Sequence, residues 1–121
     1  IPQDRAIDGL DQSEFLLGKS DHSAREGFPV YVADRMEAVK WKNWKLAFYG
    51  EERDWWSPPT KLGVPLIFDL ISDPKEEYGA TLSPDGWIGG PAMEIVADFE
   101  KSLRLHPPIA PGTPDPYTPP K

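Results

Sequence analysis

The apolar positions change rhythm three times along the chain. Near the N-terminus, residues 8–18 place Asp11 and Glu14 in a capping-box-like pattern ahead of Phe15, Leu16 and Leu17, with Gly18 as a stop. That predicts a short helix with the three apolar residues partly buried. Residues 19–27 are polar and read as a loop. From Phe28 onward, β-branched and aromatic residues gather in short runs. They predict strands at Phe28–Val32, Glu37–Trp41, Trp44–Tyr49 and Val64–Leu70. Asp34-Arg35 would turn the first pair and Lys42-Asn43 the second, Asn43 tolerating the left-handed backbone a tight hairpin needs. Pro65 has no N–H to donate, so the fourth run is an edge strand or starts after the proline.

A two-residue turn at Lys42-Asn43 fixes who faces whom. Trp41 then faces Trp44, Val39 faces Leu46 and Glu37 faces Phe48, on one largely apolar face. The other face pairs Ala38 with Ala47 and Lys40 with Lys45. Two like charges directly opposite are unfavourable. Either that face meets water or acidic neighbours, or the register differs by one.

The third rhythm is helical. After a charged, proline-containing loop at 50–63 and an irregular stretch at 75–90, Pro91 stands at a helix start. Ala92, Ile95, Val96, Phe99 and Leu103 follow with the spacing of one helical face, which would cover the sheet. Pro107-Pro108 end it. From His106 to Lys121 there are seven prolines in sixteen residues, which excludes helix and central strand and predicts an extended strap. The fold class expected is α+β: a small antiparallel sheet of about four strands against a C-terminal helix (residues 1–105), then a Pro-rich extended tail (106–121). The second sheet face is expected to be free.

Composition narrows the functions. The chain has 121 residues, enough for one domain. Its net charge of −7 argues against nucleic acid as a partner. No apolar run approaches the length of a membrane span. There is no cysteine, which excludes disulfides and thiol chemistry. The N-terminus, Ile1-Pro2-Gln3-Asp4-Arg5, has neither Met nor a signal-peptide pattern, as in a piece of something longer, a processed form or an engineered chain. Cellular location is left open: a soluble protein, periplasmic or cytoplasmic.

Candidate chemistry is sparse. The two histidines, His22 and His106, lie far apart; His106 suits a helix cap. His22 shares a polar loop with Asp21 and Arg25, where a pocket role competes with a plain surface role. Gly89-Gly90 reads as a helix start rather than an anion site, since Pro91 removes a donor. Asp8 and Asp11 are explained by capping. Trp41 and Trp44 read as core or domain-contact residues rather than a binding platform; Trp55-Trp56 sit in a charged loop.

Several motifs in order resemble one family. Ile7-Asp8-Gly9-Leu10-Asp11 with Phe15-Leu16-Leu17-Gly18-Lys19, Ser23-Ala24-Arg25-Glu26, the hairpin Ala38-Val39-Lys40-Trp41-Lys42-Asn43-Trp44-Lys45-Leu46, and Phe68-Asp69-Leu70-Ile71-Ser72-Asp73-Pro74-Lys75-Glu76 together resemble the C-terminal region of arylsulfatases. The ending 111–120 is similar to tails of a bacterial arylsulfatase subgroup. The resemblance spans nearly the whole chain and implies a four-stranded antiparallel sheet with a terminal helix. It also implies a parent enzyme that hydrolyses sulfate esters with formylglycine and calcium, both in a preceding N-terminal catalytic domain. Ser57-Pro58-Pro59-Thr60-Lys61 ends in Lys where the formylglycine motif needs Arg, so no catalytic or metal position carries over.

The expected function is therefore a non-catalytic subdomain that supports a catalytic domain of the same parent chain, with His22 and Arg25 at the rim of a substrate pocket. Arg suits a sulfate or carboxylate. The competing readings are a free-standing Trp-rich carbohydrate- or peptide-binding module and a small independent hydrolase. A subdomain cut from its partner is also expected to self-associate, through the free sheet face or the tail.

Overall fold

The computed structural model describes residues 7–50, 57–81 and 84–114. The expectations for Trp55-Trp56 and for the last residues of the tail lie outside these. Four strands form one antiparallel meander: β1 (Gly27–Val32), β2 (Arg35–Trp41), β3 (Trp44–Gly50) and β4 (Thr60–Asp69), in spatial order β1-β2-β3-β4. A four-residue helix, α1 (Ser13–Leu16), precedes the sheet, and a 17-residue helix, α2 (Gly89–Leu105), follows it after a 3-10 turn at Pro84–Ile88. This is the α+β arrangement the patterning predicts.

The central hairpin pairs Trp41 with Trp44, Val39 with Leu46, Lys40 with Lys45 and Ala38 with Ala47, the register set by a two-residue turn. Side chains alternate along a strand, so Val39 and Leu46 point to one face. There they meet Ile88, Ala92 and Val96 from the 3-10 turn and α2, with Met36, Trp41, Trp44, Phe48, Ile67 and Ile95 around them. Val39, Ile88 and Ala92 are fully buried. Each large apolar side chain sealed there contributes about 1.5–3 kcal/mol. That is how so small a sheet holds a helix.

Several expectations are corrected. Glu37 does not face Phe48. A β-bulge between Val30 and Tyr31 leaves Glu37 outside the ladder, since Val30 pairs with Ala38 and Tyr31 with Met36. Glu37 therefore lines the opposite face, where Arg35 Nε donates to its carboxylate at 2.9 Å. The extra residue carries a charge off the helix-covered face. The turn between β1 and β2 is Ala33-Asp34, with Ala33 left-handed at φ 55°, so β2 starts at Arg35 and not Glu37. In the second hairpin the left-handed residue is Lys42, φ 52°, and not Asn43. Asn43 is used otherwise: its amide donates to Asp69 at 2.9 Å and its carbonyl accepts from the Leu70 N–H.

Pro65 lies in edge strand β4, as its missing donor requires. It falls where the β3–β4 register shifts between Ala47 and Tyr49, so no ladder bond is asked of it. Pro91 is the third residue of α2 rather than the first; the first four helical N–H groups have no intrahelical acceptor, so the position tolerates it. Leu103 is exposed, because the last turns of α2 run past the sheet. Phe15, Leu16 and Leu17 are exposed rather than partly buried, Leu16 at 77% and Leu17 at 69%. Gly18, φ 70°, does end α1, and Asp11 accepts the Ser13 N–H at 2.8 Å. Residues 107–114 carry no helix or strand and are exposed.

The second sheet face is only partly open. Ala38, Ala47 and Phe68 form its floor, and residues 76–80 fold across one side. Ala80 exchanges two backbone bonds with Ile67, extending the sheet edge by one bridge. Lys45 donates to Glu76 at 2.5 Å, so the Lys40–Lys45 juxtaposition is relieved by an acidic neighbour on one side. Lys40 relieves the other by donating to the Lys42 carbonyl.

Asp69 closes the end of β4. It accepts from Asn43, from the Ile71 N–H at 3.1 Å and from the Ser72 hydroxyl at 3.0 Å. The Asn43 amide first, then the Ile71 N–H, hold its carboxyl below its ordinary range. A carboxyl depressed in the folded state binds its proton more readily in the unfolded chain. Its contribution is thus complete above about pH 4 and is lost as pH falls through the unfolded and then the lower folded value. In melting curves recorded from pH 7 downward, Asp69→Asn is expected to shrink the acid-induced drop in Tm. An unchanged drop would remove Asp69 from the account.

Candidate functional site

Residues 19–26 hang from α1 and lean on the central hairpin, and a groove of about 530 Å3 opens between them. Phe15, Asp21, His22, Ser23, Arg25, Glu26, Lys40 and Lys42 line it. The loop is held by local bonds that suit its Ser-rich sequence. The Gln12 side-chain carbonyl accepts from the Ala24 N–H at 3.0 Å and the Ser23 hydroxyl at 3.2 Å. The His22 N–H donates to Ser20 Oγ at 3.1 Å, and the Arg25 N–H to Ser23 Oγ at 3.1 Å. The Lys42 N–H donates to the Glu26 carbonyl at 2.7 Å, which ties loop to hairpin.

The structure therefore brings His22 and Arg25 to one concave surface. His22 is exposed; Arg25 is half-buried, its guanidinium donating to the Asp8 carbonyl. Sequence reasoning missed Lys40 and Lys42. The signal was their spacing: two lysines two residues apart at a hairpin end. Lys42 Nζ lies 4.9 Å above the Trp41 ring and 3.8 Å from Glu26; Lys40 Nζ lies 5.9 Å from the Phe28 ring centre. Three permanent cations face two carboxylates here, in a chain whose overall charge is −7. Such a groove can hold an anionic group by charge and N–H donation.

His106 lies far from this groove. It caps α2, its N–H donating to the Ser102 carbonyl at 2.8 Å. Trp41 and Trp44 are half-buried against the helix-side core, while Trp87 is exposed and meets Trp41 edge-on with centroids 5.8 Å apart. Gly89 and Gly90 form the first residues of α2.

The described residues do not fit formylglycine or calcium. Ser57 leads into β4, Thr60 and Lys61 pair with Gly50 and Tyr49 in the sheet, and no group of three or more His, Asp or Glu side chains converges among the described residues.

No family model matches the chain. In fold it is similar to the crystal structure of the PsFucS1 sulfatase from Pseudoalteromonas sp., with a TM-score of 0.75 and 23% identity over 88% of this chain and 23% of that one. The fold is thus one found in a sulfatase. In sequence the chain is 28% identical over 130 residues to the steryl-sulfatase of Rattus norvegicus, covering 88% of this chain and 21% of the relative. It is 26% identical over 139 residues to the steryl-sulfatase of Homo sapiens, covering 98% of this chain and 23% of the relative. The likeness in sequence to two steryl-sulfatases and the likeness in fold to a sulfatase thus point the same way. The chain spans less than a quarter of the length of these relatives.

Proposed function

We propose that the chain is the non-catalytic C-terminal subdomain of an arylsulfatase-type enzyme, whose parent reaction is hydrolysis of sulfate esters. It supports the catalytic domain, which supplies calcium and formylglycine, and the His22–Arg25 groove walls the substrate pocket. The observation that carries this reading is the match to a sulfatase structure across most of this chain but under a quarter of that one. Cationic Arg25, Lys40 and Lys42 suit an anionic substrate such as a sulfate ester.

The test is one set of measurements on the encoded reading frame. A frame extending several hundred residues upstream, with a Cys or Ser formylglycine motif, is expected. The full-length protein should hydrolyse an aryl sulfate, and the 121-residue chain should not exceed a heat-killed control. Arg25→Ala and Lys42→Ala in the full-length protein are expected to raise KM about 3- to 10-fold with kcat little changed, as for lost ground-state binding. Sedimentation of the isolated chain should show self-association at high concentration through its second sheet face. A frame that starts next to Ile1, or turnover by the isolated chain, would overturn the subdomain reading.

A Trp-rich binding module is the second reading, favoured by exposed Trp87 standing edge-on to Trp41. A saturable tryptophan-fluorescence change with a neutral oligosaccharide would support it over the first.

A further inference from the structure

The sheet face turned away from α2 carries a recess of about 490 Å3 that shares no lining residue with the His22–Arg25 groove. Its bottom is one rung of the ladder, where Ala38 pairs with Ala47. Two facing methyl groups, set among the longer side chains of Val30, Leu66, Phe68 and Tyr49, leave a hollow. Alanine is a poor strand former, so local strand stability does not account for a facing pair. Ala38 is 1% and Ala47 9% exposed, which makes the bottom nearly dry.

The walls are charged. Glu37, Glu76, Glu77 and Lys45 stand around the apolar floor, Glu37 brought there by the β1–β2 bulge. Lys45 donates to Glu76 at 2.5 Å. Arg35 donates to Glu37 from Nε and from a terminal nitrogen, both times to Oε1, which leaves Oε2 open. The Glu77 carboxylate takes no partner among the described residues. Three carboxylates against Lys45 and Arg35 leave the recess with one negative charge in excess.

Donors that would hold an anion are engaged elsewhere. The Glu76 N–H is bonded to the Asp73 carbonyl, and the Ala80 N–H to the Ile67 carbonyl. The N–H groups of Glu77 and Tyr78 go to the Asp73 carboxylate, at 3.0 and 2.8 Å. These bonds also fix the wall before a ligand arrives. Gly79 seats it on the floor: a Cβ there would lie 2.7 Å from Phe68 Cζ. An extended peptide finds no main-chain partners over the rung, because β2 and β3 are the inner strands and share their backbone groups with neighbours on both sides.

We propose that this recess is a binding site for a small organic ammonium ion, a hydrocarbon body with one cationic end. The body lies over Ala38 and Ala47 beside Phe68. The ammonium end meets the Glu77 carboxylate and the open oxygen of Glu37, a charge-assisted contact above a dry floor. Tyr49 adds a ring that already carries a cation, Arg35 standing 4.6 Å from its centroid. Small-ligand sites are of this kind: about 300–1,000 Å3, apolar in the main, with a few converging polar groups. The site stands apart from the sulfatase-subdomain reading, since it uses no residue of the His22–Arg25 groove.

The test uses phenethylammonium as the probe. It is titrated calorimetrically into the 121-residue chain, at a concentration where the chain sediments as a monomer, and into the protein encoded by the whole reading frame. Amide shifts in the 121-residue chain locate the site. Saturable shifts are expected at Ala38, Ala47, Phe68 and Glu77, with none at His22 or Lys42. Phenethyl alcohol, the same body without the charge, should bind at least about 5-fold more weakly, and hydrocinnamate, with the opposite charge, should not saturate. Glu77→Gln, an exposed position outside the core, is expected to weaken the ammonium at least about 3-fold and leave the alcohol unchanged. Ala47→Leu should abolish both by filling the floor, while Arg25→Ala binds as the parent does. No saturable shift on this face overturns the site. Equal affinity for alcohol and ammonium, or a Glu77→Gln variant that binds like the parent, overturns the cation as its occupant. Binding by the 121-residue chain that is lost in a longer encoded protein overturns it as a site of the native molecule and leaves the subdomain reading standing.

Discussion

A V39D variant is expected to lose its cooperative melting transition at 25 °C, while V32D keeps it. Val39 is fully buried at the centre of the sheet–helix interface, among Leu46, Ile88, Ala92 and Val96. No buried polar or charged residue stands among the described ones to pair with a new carboxylate. An unpaired charge at such a site costs several kcal/mol after relaxation. A chain of this size has about 5–15 kcal/mol of stability in total, and a small core puts it near the lower end. Val32, 57% exposed at the far end of β1, has nothing comparable to lose, and V32D should stay within about 0.5 kcal/mol of the parent. Circular dichroism melts of the two variants decide it. Were V39D to melt as the parent does, α2 would not be seated on β2.

Gly27→Ala is expected to destabilise by about 3 kcal/mol, read as a shift in the urea midpoint at constant m. A Cβ at Gly27 would lie 2.2 Å from the Lys40 carbonyl oxygen and 2.5 Å from Ile95 Cδ1. The Ile95 methyl can swing away. The carbonyl cannot, because it belongs to β2, the strand that carries Val39. Relief therefore means pulling β1 off β2 at the row where the N-terminal loop enters, which would also shift Glu26 and its bond to Lys42. Gly63→Ala is the matched control: no atom lies within 4 Å of its would-be Cβ, and removing a flexible glycine should leave stability unchanged or slightly higher. A midpoint for Gly27→Ala equal to that of Gly63→Ala would show that β1 is not held against β2 at this row.

Both variants bear on the same structural claim from different sides. Val39 tests the face that α2 covers, and Gly27 tests the hinge where the polar loop meets the sheet. The groove depends on the second more than the first. His22 and Arg25 are placed by bonds to Gln12, Ser20 and Ser23 within the loop, and the Lys42 N–H, donating to the Glu26 carbonyl, ties that loop to the hairpin.

The amino-acid sequence by itself determined the four strands, the pairing of Trp41 with Trp44 and Val39 with Leu46, the edge position of Pro65 and the terminal helix. These follow from local rules: side chains alternate along a strand, recur every three or four residues on a helix, and proline cannot donate to a ladder. Tertiary structure alone decided that Glu37 leaves the apolar face through a bulge, that Lys42 rather than Asn43 takes the left-handed turn position, and that Glu76 neutralises Lys45 from 31 residues away. It also decided that Lys40 and Lys42 join His22 and Arg25 in one groove. The Lys45–Glu76 pair, the Asn43–Asp69 bond and the Lys42–Glu26 tie each join segments far apart in the chain, and local spacing does not say which distant backbone the fold delivers beside a given side chain.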